Sequence, residues 1–243
     1  MARPTVRLTD ELRRQRPDVA DPDATIEGGR VVVDGRFLLN PAARVRTGCS
    51  IIVRGVVALR GEAKLRPALE QFAVPVRDRV ALDAGAAAGG FTTVLLDRGA
   101  ARVYAVDAGH GQLVGSLRQD PRVVNLEGVN LGDLSPAVVP EPVEVVTLDL
   151  SYLALADAVG QLDNLAVAPG ADLVALVKPM FELHLDHAPT DPGSLDRALD
   201  LAMAGVVAAG WSVLASMASP VTGAKGAVEA LLHARRPAPT PEL

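Results

Sequence analysis

The chain has 243 residues, which suits either one large domain or a medium-sized domain with a small companion. Because 49% of the residues are apolar and 22% are charged, it can bury a full core, and disordered, collagen-like and disulfide-rich classes are excluded. Cys49 is the only cysteine, so the sequence excludes an intrachain disulfide and a thiolate metal cluster. We therefore expect a cytoplasmic protein without a metal site.

The charge is unevenly distributed along the chain, whose formal net charge is −5. Residues 1–55 contain ten arginines and seven acids, whereas residues 56–243 contain 14 basic and 22 acidic residues. This balance argues against a protein that coats nucleic acid non-specifically. Only the first 55 residues carry enough positive charge to contact a polyanion.

No segment of the sequence predicts export or a membrane span. The first 18 residues lack the apolar stretch of a signal peptide. The longest weakly charged run, residues 198–218, is interrupted by Gly205, Gly210 and Trp211, a pattern typical of a buried helix followed by a strand. We therefore expect no membrane partner.

The first 55 residues predict a small α+β module. Residues 8–16 have a helical pattern, and two short strands follow, within 30–37 and 50–55, around a turn at Asp34 and Gly35. Beyond residue 55 the pattern changes, so we predict a second domain over residues 56–236 and a loose tail over 237–243.

The second domain predicts an α/β fold, because apolar strands alternate with helices. A helix at 64–74 precedes strands at 80–84, 102–107, 122–126, 144–149 and 172–177. The predicted helices between and after these strands lie near 90–98, 111–118, 153–166 and 194–209, and two further strands lie near 211–217 and 227–233. This alternation predicts a doubly wound, mostly parallel sheet.

A glycine-rich turn follows the first of these strands. The sequence LDAGAAAGGFTTVLL (residues 82–96) places Asp83 at the strand end and Gly85, Gly89 and Gly90 in the turn, where backbone can approach a ligand closely. The spacing differs from the G-x-G-x-x-G of dinucleotide sites, and no G-K-[ST] follows. Taken alone, the turn is also compatible with tight packing. Asp107, at the end of the next strand, can accept hydrogen bonds from ribose hydroxyls. The glycine-rich turn and Asp107 together indicate S-adenosylmethionine (SAM) as the ligand.

The motif string around this turn resembles a known family. The stretch LDAGAAAGGFTTVLLDRGAARVYAVDAGHGQL, with LRQDPRV, LDLSYLAL and LVALVKPMFE, is similar to the TlyA group of ribosomal RNA methyltransferases, relatives of the FtsJ type, over roughly residues 55–232. The resemblance implies a class I methyltransferase with a Rossmann-like fold and SAM as cofactor. It also implies a cofactor site made of Asp83, Gly85, Gly89, Gly90, Phe91, Asp107, Asn130 and Tyr152.

The resemblance further implies a catalytic Lys-Asp-Lys-Glu set that activates a ribose hydroxyl. Matched motif by motif, the set is Lys64, Asp149, Lys178 and Glu229. The chain has only three lysines, and two of them, Lys64 and Lys178, fall on these positions; the third is Lys225. A partly desolvated lysine can take the proton of an attacking hydroxyl. The alternative is that the four residues form two buried ion pairs that only join strands.

The sequence also departs from the family pattern near the acceptor. The turn has alanines where the family usually has a Ser-Thr pair, and His110 stands where an aromatic residue is usual. Tyr152 replaces a Phe, Met180 replaces a Gln, and Ala227 replaces an Asn. Each change removes or alters a contact near the site. Tyr152 can also face a sulfonium as a cation–π partner.

The front module resembles the RNA-binding module named after the fourth small-subunit ribosomal protein, but less closely. Where that module presents basic residues on a helix, this chain has Asp18, Asp21, Asp23 and Glu27, which we expect to repel phosphate. Pro22 is expected to remove a position from a helix interior. A degenerate module of this kind could serve as a structural cap or a dimer element.

Four functional hypotheses follow. The sequence favours a SAM-dependent enzyme of specialised metabolism acting on a small molecule, because the front module is acidic and the acceptor side is altered. The alternatives are a ribosomal RNA ribose 2′-O-methyltransferase, a SAM cyclase or lyase resembling azetidine-2-carboxylate synthases, and a non-enzymatic binding protein. The expected partners are a small-molecule acceptor or SAM itself, with RNA less favoured and a homodimer as a candidate assembly.

Overall fold

The computed structural model describes residues 4–53, 59–223 and 226–238. Lys225 and residues 239–243 of the predicted tail lie outside the described residues. The chain divides into two compact units. One contains the described residues up to 53 together with Val114–Asp120, and the other contains Leu59–Leu113 and the described residues from 121 onward.

The amino-terminal unit contains five short strands and three helices. Its strands are β1 (Thr5–Arg7), β2 (Val31–Val33), β3 (Arg36–Phe37), β4 (Arg44–Arg46) and β5 (Ile51–Val53). Its helices are α1 (Leu8–Gln15), α2 (Pro22–Glu27) and, from the later segment, α5 (Gly115–Gln119). β1 pairs with β4, and β2 lies between β3 and β5. As predicted, α1 and a hairpin turn are present, and Asp34 and Gly35 both have positive φ.

The interpretation of Pro22 as a helix breaker is wrong. Pro22 is the first residue of α2, a position where its fixed φ favours a helix, and the Asp21 carboxylate accepts a hydrogen bond from the Ala24 N–H at 3.0 Å. Two other carboxylates also make local contacts: Asp18 pairs with Arg16 at 2.6 Å, and Asp23 accepts from the Thr9 hydroxyl at 2.5 Å. These acids therefore support the module's own structure.

The second unit contains a seven-stranded sheet in the order β11-β12-β10-β9-β6-β7-β8. Its strands are β6 (Val80–Ala84), β7 (Arg102–Asp107), β8 (Val123–Glu127), β9 (Val143–Leu148), β10 (Val167–Val177), β11 (Ser212–Ala218) and β12 (Ala230–Arg235). β10, β9, β6, β7 and β8 are parallel, whereas β12 runs antiparallel between β10 and β11. The predicted α/β, mostly parallel sheet is confirmed.

Helices cover both faces of this sheet. The helices are α3 (Arg60–Gln71), α4 (Gly90–Asp97), α6 (Leu155–Gln161), α7 (Pro179–Glu182) and α8 (Pro192–Ala208), with short 3-10 turns at Leu131–Asp133 and Leu162–Asn164. Leu82 and Ala84 of β6 share one buried core with apolar residues of α6 and α8. Asp83 points to the other face, where the α4 residue Thr92 contacts it. The sheet is therefore doubly wound.

Several boundaries differ from the predicted ones. α3 begins at Arg60, four residues early, because the Glu62 carboxylate accepts a hydrogen bond from the Leu59 N–H at the helix start. β10 begins at Val167, five residues early, with a register shift before Asp172. Among the described residues, no helix combines the length and apolar character needed to cross a bilayer.

Candidate active site

The candidate site lies at the carboxyl ends of the parallel strands. The chain enters the sheet at β6, proceeds outward through β7 and β8, and then returns to β9 on the other side of β6. In open α/β sheets, ligands bind at such a reversal of strand order. Gly85 follows β6 and Asp149 follows β9, so these two residues mark the reversal.

Gly85 permits a very close approach between the two neighbouring strand ends. Its φ is +86°, and a Cβ at this position would lie 2.4 Å from the main-chain oxygen of Asp149. A side chain would therefore collide with backbone, which cannot give way as a flexible side chain can. The glycine keeps open a cradle for a ligand beside Asp149.

A first cavity of about 240 Å³ opens beside this cradle. Of the predicted cofactor residues, Gly85, Asp107 and Tyr152 line it. The two carboxylate oxygens of Asp107 accept the N–H groups of Ala87 at 2.8 Å and Gly109 at 2.7 Å. Each oxygen has a further lone pair, so Asp107 retains the capacity to accept hydrogen bonds from ribose hydroxyls.

The other predicted cofactor residues do not line this cavity. Asp83 is fully buried, and Gly89 begins α4 with a left-handed conformation. Gly90 packs on α3, where its Cβ would lie 2.9 Å from the Gly61 Cα, and Phe91 is buried next to Gly61. Asn130 donates a hydrogen bond to Asp133 at 3.1 Å. The glycine-rich turn therefore combines a cradle at Gly85 with tight helix packing at Gly90.

A second cavity of about 360 Å³ adjoins the first. All four predicted catalytic residues, Lys64, Asp149, Lys178 and Glu229, line it. They come from four separate parts of the second unit: α3, the end of β9, the end of β10, and the segment before β12. The structure thus brings together the complete set that the motifs predicted.

Lys178 is held by three oxygen atoms. Its Nζ lies 2.6 Å from Asp149 Oδ1, 2.8 Å from Ser151 Oγ and 2.9 Å from the Leu150 main-chain oxygen. An ammonium group has three hydrogens, so these three acceptors satisfy it completely. The group is therefore fixed in direction at the wall of the cavity.

Lys64 and Glu229 form the second ion pair of the site. Lys64 Nζ lies 2.5 Å from Glu229 Oε2, and both residues are buried. Gly223 leaves space for this carboxylate, since a Cβ there would lie 2.1 Å from Glu229 Oε1. The four predicted catalytic residues therefore do form two ion pairs. Because both pairs line the cavity, this pairing does not exclude a catalytic role.

The two cavities share one wall. Gly85, Ala87, Asp149 and Ser151 line both of them. A ligand in one cavity and a ligand in the other would therefore face each other across these four residues, and Lys178 would lie on the side of the second cavity. Such an arrangement suits transfer of a group from one bound molecule to another.

Ser151 and Ala87 are site residues that sequence reasoning missed. Ser151 is a polar residue two positions after Asp149, at the end of a parallel strand, and this placement was a usable signal. Ala87 gave no such signal, because it contributes through its backbone: its φ is +45°, and its N–H binds Asp107.

Comparison with known proteins assigns the chain to a family. The model of the FtsJ-like methyltransferases matches residues 57–236. The 16S/23S rRNA (cytidine-2′-O)-methyltransferase TlyA of Mycobacterium tuberculosis is 41% identical over 236 residues, covering 92% of this chain and 85% of that protein. This relative contradicts the prediction of a small-molecule acceptor. No comparison supports a SAM cyclase, a SAM lyase or a role in specialised metabolism.

Solved structures share the fold. A protein from Streptococcus thermophilus, provisionally described as a hemolysin, has a TM-score of 0.70 and 31% identity, covering 97% of this chain and 90% of that chain. A SAM-dependent methyltransferase from Mesorhizobium loti has a TM-score of 0.51 and 17% identity, covering 70% of this chain and 96% of that chain. The second likeness concerns the fold alone.

Proposed function

Because the chain belongs to the FtsJ-like methyltransferase family, we propose that it methylates the ribose 2′-hydroxyl of cytidine in ribosomal RNA. The predicted family, fold class and cofactor are confirmed, and so is the prediction of an enzyme: this is a SAM-dependent methyltransferase. The RNA acceptor and the individual residue roles are the proposal. They rest on the relative from Mycobacterium tuberculosis and on the geometry of the two cavities.

One observation carries the assignment of roles. Asp149 lies on the wall that the two cavities share, beside the cradle at Gly85, and its ion-pair partner Lys178 lines the second cavity. The first cavity would hold SAM, and the second would hold the ribose of the acceptor. The transferred methyl group would then cross from one cavity to the other next to Lys178.

The residues of the first cavity fit a nucleoside with a positively charged sulfur. The carboxylate of Asp107 would accept ribose hydroxyls, and Leu131 and Val129 offer apolar contacts for a base. Gly85 leaves room where a Cβ would block the approach to Asp149. Tyr152 lines the same cavity and can place its ring against a cation.

SAM supplies an electrophilic methyl group when it is bound. Lys178 would take the proton of the ribose hydroxyl as the oxygen becomes the nucleophile. It would do so as the amine, which donates to two of its three oxygen acceptors and keeps a lone pair for the hydroxyl proton. Asp149, 2.6 Å from Nζ, would stabilise the ammonium that results. The buried Lys64–Glu229 pair would orient the ribose from the other side of the second cavity without adding net charge.

The amino-terminal unit offers a surface for RNA. In the β1–β4 ribbon, Arg7 lies opposite Arg44, and Arg46 follows on the same exposed face, while Val6 and Val45 point inward. Among the described residues, no acid lies within ion-pair distance of these arginines. Like charges directly opposite each other destabilise a β ribbon. Phosphate groups would relieve that repulsion, which supports RNA as the partner.

This surface changes the interpretation of the front module. Asp18 is paired with Arg16, and Asp21 and Asp23 accept hydrogen bonds within the module, so these acids have a structural use that the sequence did not suggest. We propose that residues 1–55 form an RNA-binding module and residues 56–236 the methyltransferase domain. The structure differs in one detail, because Val114–Asp120 clusters with the amino-terminal unit.

The test uses the full chain with isolated ribosomal subunits. Small and large subunits from a strain that lacks this modification are incubated with the protein and SAM, and RNA fragments are analysed by mass spectrometry. We expect 2′-O-methylcytidine at a defined site, and none with Lys178→Ala. A protein that binds SAM but leaves both subunits unmodified would overturn the proposal. Release of methylthioadenosine from SAM alone would also contradict it.

A further inference from the structure

The two segments that meet in the active site are joined a second time, outside both cavities. Asp149 and Ser151 belong to the segment that leads from β9 into α6, whereas Lys178 ends β10 and leads into α7. Glu182, the last residue of α7, lies one helical turn after Lys178. Its side chain reaches back to the start of α6.

The contact is a buried hydrogen bond. Glu182 Oε1 accepts the main-chain N–H of Leu155 at 2.8 Å, and Glu182 is only 6% exposed. Leu155 is the first residue of α6, and the preceding Ala154 has no side chain that could accept a hydrogen bond. Glu182 therefore caps α6 from a different helix. This bond spans 27 positions of the chain, so it fixes two segments relative to each other.

A carboxylate is an unfavourable choice at this position. Glu182 borders a small void that is otherwise lined by Lys178 and by apolar residues, mainly leucines such as Leu148 and Leu150. Within the described residues, no cation lies within ion-pair distance of it. Burial raises the pKa of Glu182 to about 7, despite the opposing effect of the Leu155 hydrogen bond. An apolar residue would fill the site without this penalty, so the carboxylate has another use.

We propose that Glu182 is a positioning residue of the methyltransferase. By holding the Leu155 N–H, it keeps the segment of Asp149 and Ser151 in register with Lys178, so that the two acceptors stay 2.6 and 2.8 Å from Nζ. Glu182 touches neither cavity and acts only through these residues. The inference rests on the proposed function where it is tested by the rate of RNA methylation. The test by hydrogen exchange of the Leu155 amide does not depend on that function.

The experiment compares Glu182→Leu with Glu182→Gln in the full chain. Glutamine keeps an oxygen that can accept the Leu155 N–H, whereas leucine removes it. We expect Glu182→Leu to lower kcat ten- to hundred-fold, as small misplacements of catalytic groups do, with less than a threefold change in KM and SAM affinity. Glu182→Gln should restore kcat to within about threefold of wild type.

Hydrogen exchange measures the same contact without any catalysis. The Leu155 amide should exchange about tenfold faster in Glu182→Leu than in wild type, which corresponds to the loss of one hydrogen bond, and Glu182→Gln should restore its protection. Glu144 supplies a matched control, because its carboxylate accepts the Val80 N–H at 3.1 Å at the amino-terminal ends of β9 and β6, away from the site. Glu144→Leu should leave kcat and Leu155 exchange unchanged.

A second variant covers the case in which Glu182→Leu does not fold. Leu155→Pro removes the N–H donor at a first helical position, which proline tolerates, but it also shortens a side chain of the buried core. Leu155→Ala shortens the same side chain and keeps the N–H, so the proline variant should lower kcat by a similar ten- to hundred-fold relative to the alanine variant. Combined with Glu182→Gln, Leu155→Pro should lower kcat no further than it does alone. Unchanged kcat in Glu182→Leu and Leu155→Pro, together with unchanged Leu155 exchange in Glu182→Leu, would overturn the inference. Loss of RNA methylation in the wild type would instead overturn the proposed function and leave the exchange test intact.

Discussion

The hydroxyl of Thr92 donates a hydrogen bond of 2.6 Å to the carboxylate of Asp83, at a point where Asp83 has no exposed surface. Thr147 donates to the other carboxylate oxygen at 3.0 Å, so the carboxylate joins α4 to β6 and β9 directly beneath the cradle. Burial raises the pKa of Asp83 from 3.8 to about 6, and the two hydroxyls only partly offset this effect. Asp83 is thus a support of the glycine turn.

This pKa makes stability depend on pH in a defined direction. The folded-state pKa is above the unfolded one, so Asp83 contributes stability that is complete below pH 3.8 and is lost as pH rises through about 6. The loss should be on the order of 2–3 kcal/mol. The asparagine of Asp83→Asn cannot titrate, so this variant should lack the part of the pH dependence of unfolding free energy that comes from Asp83. Urea denaturation of both proteins between pH 4 and 7.5 measures it; parallel stability profiles would contradict the assignment.

Asp107 provides a test of the cofactor cavity. Asp107→Ala removes the carboxylate that is available to ribose hydroxyls and also frees the Ala87 and Gly109 N–H groups. Each charge-assisted hydrogen bond contributes about 1.5–3 kcal/mol, so SAM affinity should fall ten- to hundred-fold or more. Calorimetry with SAM measures the change. Glu127→Ala is not a suitable control, because Glu127 accepts N–H groups of the same loop. Asp163→Ala removes an exposed carboxylate that lines neither cavity and should leave the affinity unchanged.

Much of the fold could be predicted because each parallel strand is a short apolar run that ends in a polar or glycine residue. This pattern placed β6 and β7 at their observed bounds and Asp107 at a strand end. The helix α2 escaped prediction because Pro22 has opposite meanings inside a helix and at its first position. Only the Asp21 cap distinguishes the two cases, and its hydrogen bond depends on the three-dimensional turn.

The site was predictable in its members but not in its contacts. The motif match named Lys64 and Glu229, yet nothing in the sequence states that residues 165 positions apart form one ion pair. Glu182 stayed hidden for the same reason, since its partner is a backbone N–H on another helix. The acceptor was predicted wrongly because the acids were interpreted only as charges that repel phosphate, whereas Asp18, Asp21 and Asp23 also have local structural partners.

The arginine face of the amino-terminal unit predicts a specific loss of RNA affinity. Replacing Arg44 and Arg46 together by Glu should weaken binding to ribosomal subunits and lower the slope of log affinity against log salt by about one to two units. Arg36→Glu, an exposed charge reversal on β3 of the same unit, is the matched control. Filter binding at several salt concentrations measures both. Equal losses in the control and the double variant would show a non-specific charge effect.

Gly85 is predicted to be intolerant of any side chain. In Gly85→Ala the new Cβ would have to displace the Asp149 carbonyl, which is 2.4 Å away, and Asp149 would lose its alignment with Lys178. Methyl transfer should fall at least about hundred-fold. Gly210→Ala isolates the conformational penalty, because Gly210 has a φ of +81° but no atom within 4 Å of its would-be Cβ. That variant should lose only about 1 kcal/mol of stability and keep its activity.

Lys178→Arg separates a proton acceptor from an ion-pair residue. Arginine keeps the positive charge and can still pair with Asp149, but it does not lose a proton near neutral pH. If Lys178 takes the proton of the ribose hydroxyl, SAM affinity should survive within about threefold while turnover falls by about two to four orders of magnitude. If Lys178 only joins β9 to β10, the guanidinium can serve equally well and turnover should change little.

The comparison needs a lysine that pairs without a proposed proton transfer, and Lys64 supplies it. Lys64→Arg retains the charge beside Glu229, at a buried site where the larger guanidinium fits poorly, so its main effect should appear as lower stability and weaker RNA binding. Single-turnover methylation across pH 6–9 then distinguishes the two lysines. The slow step of Lys178→Arg should show no recovery at high pH, because its guanidinium stays protonated throughout that range. Turnover near the wild-type rate would assign the base to another group.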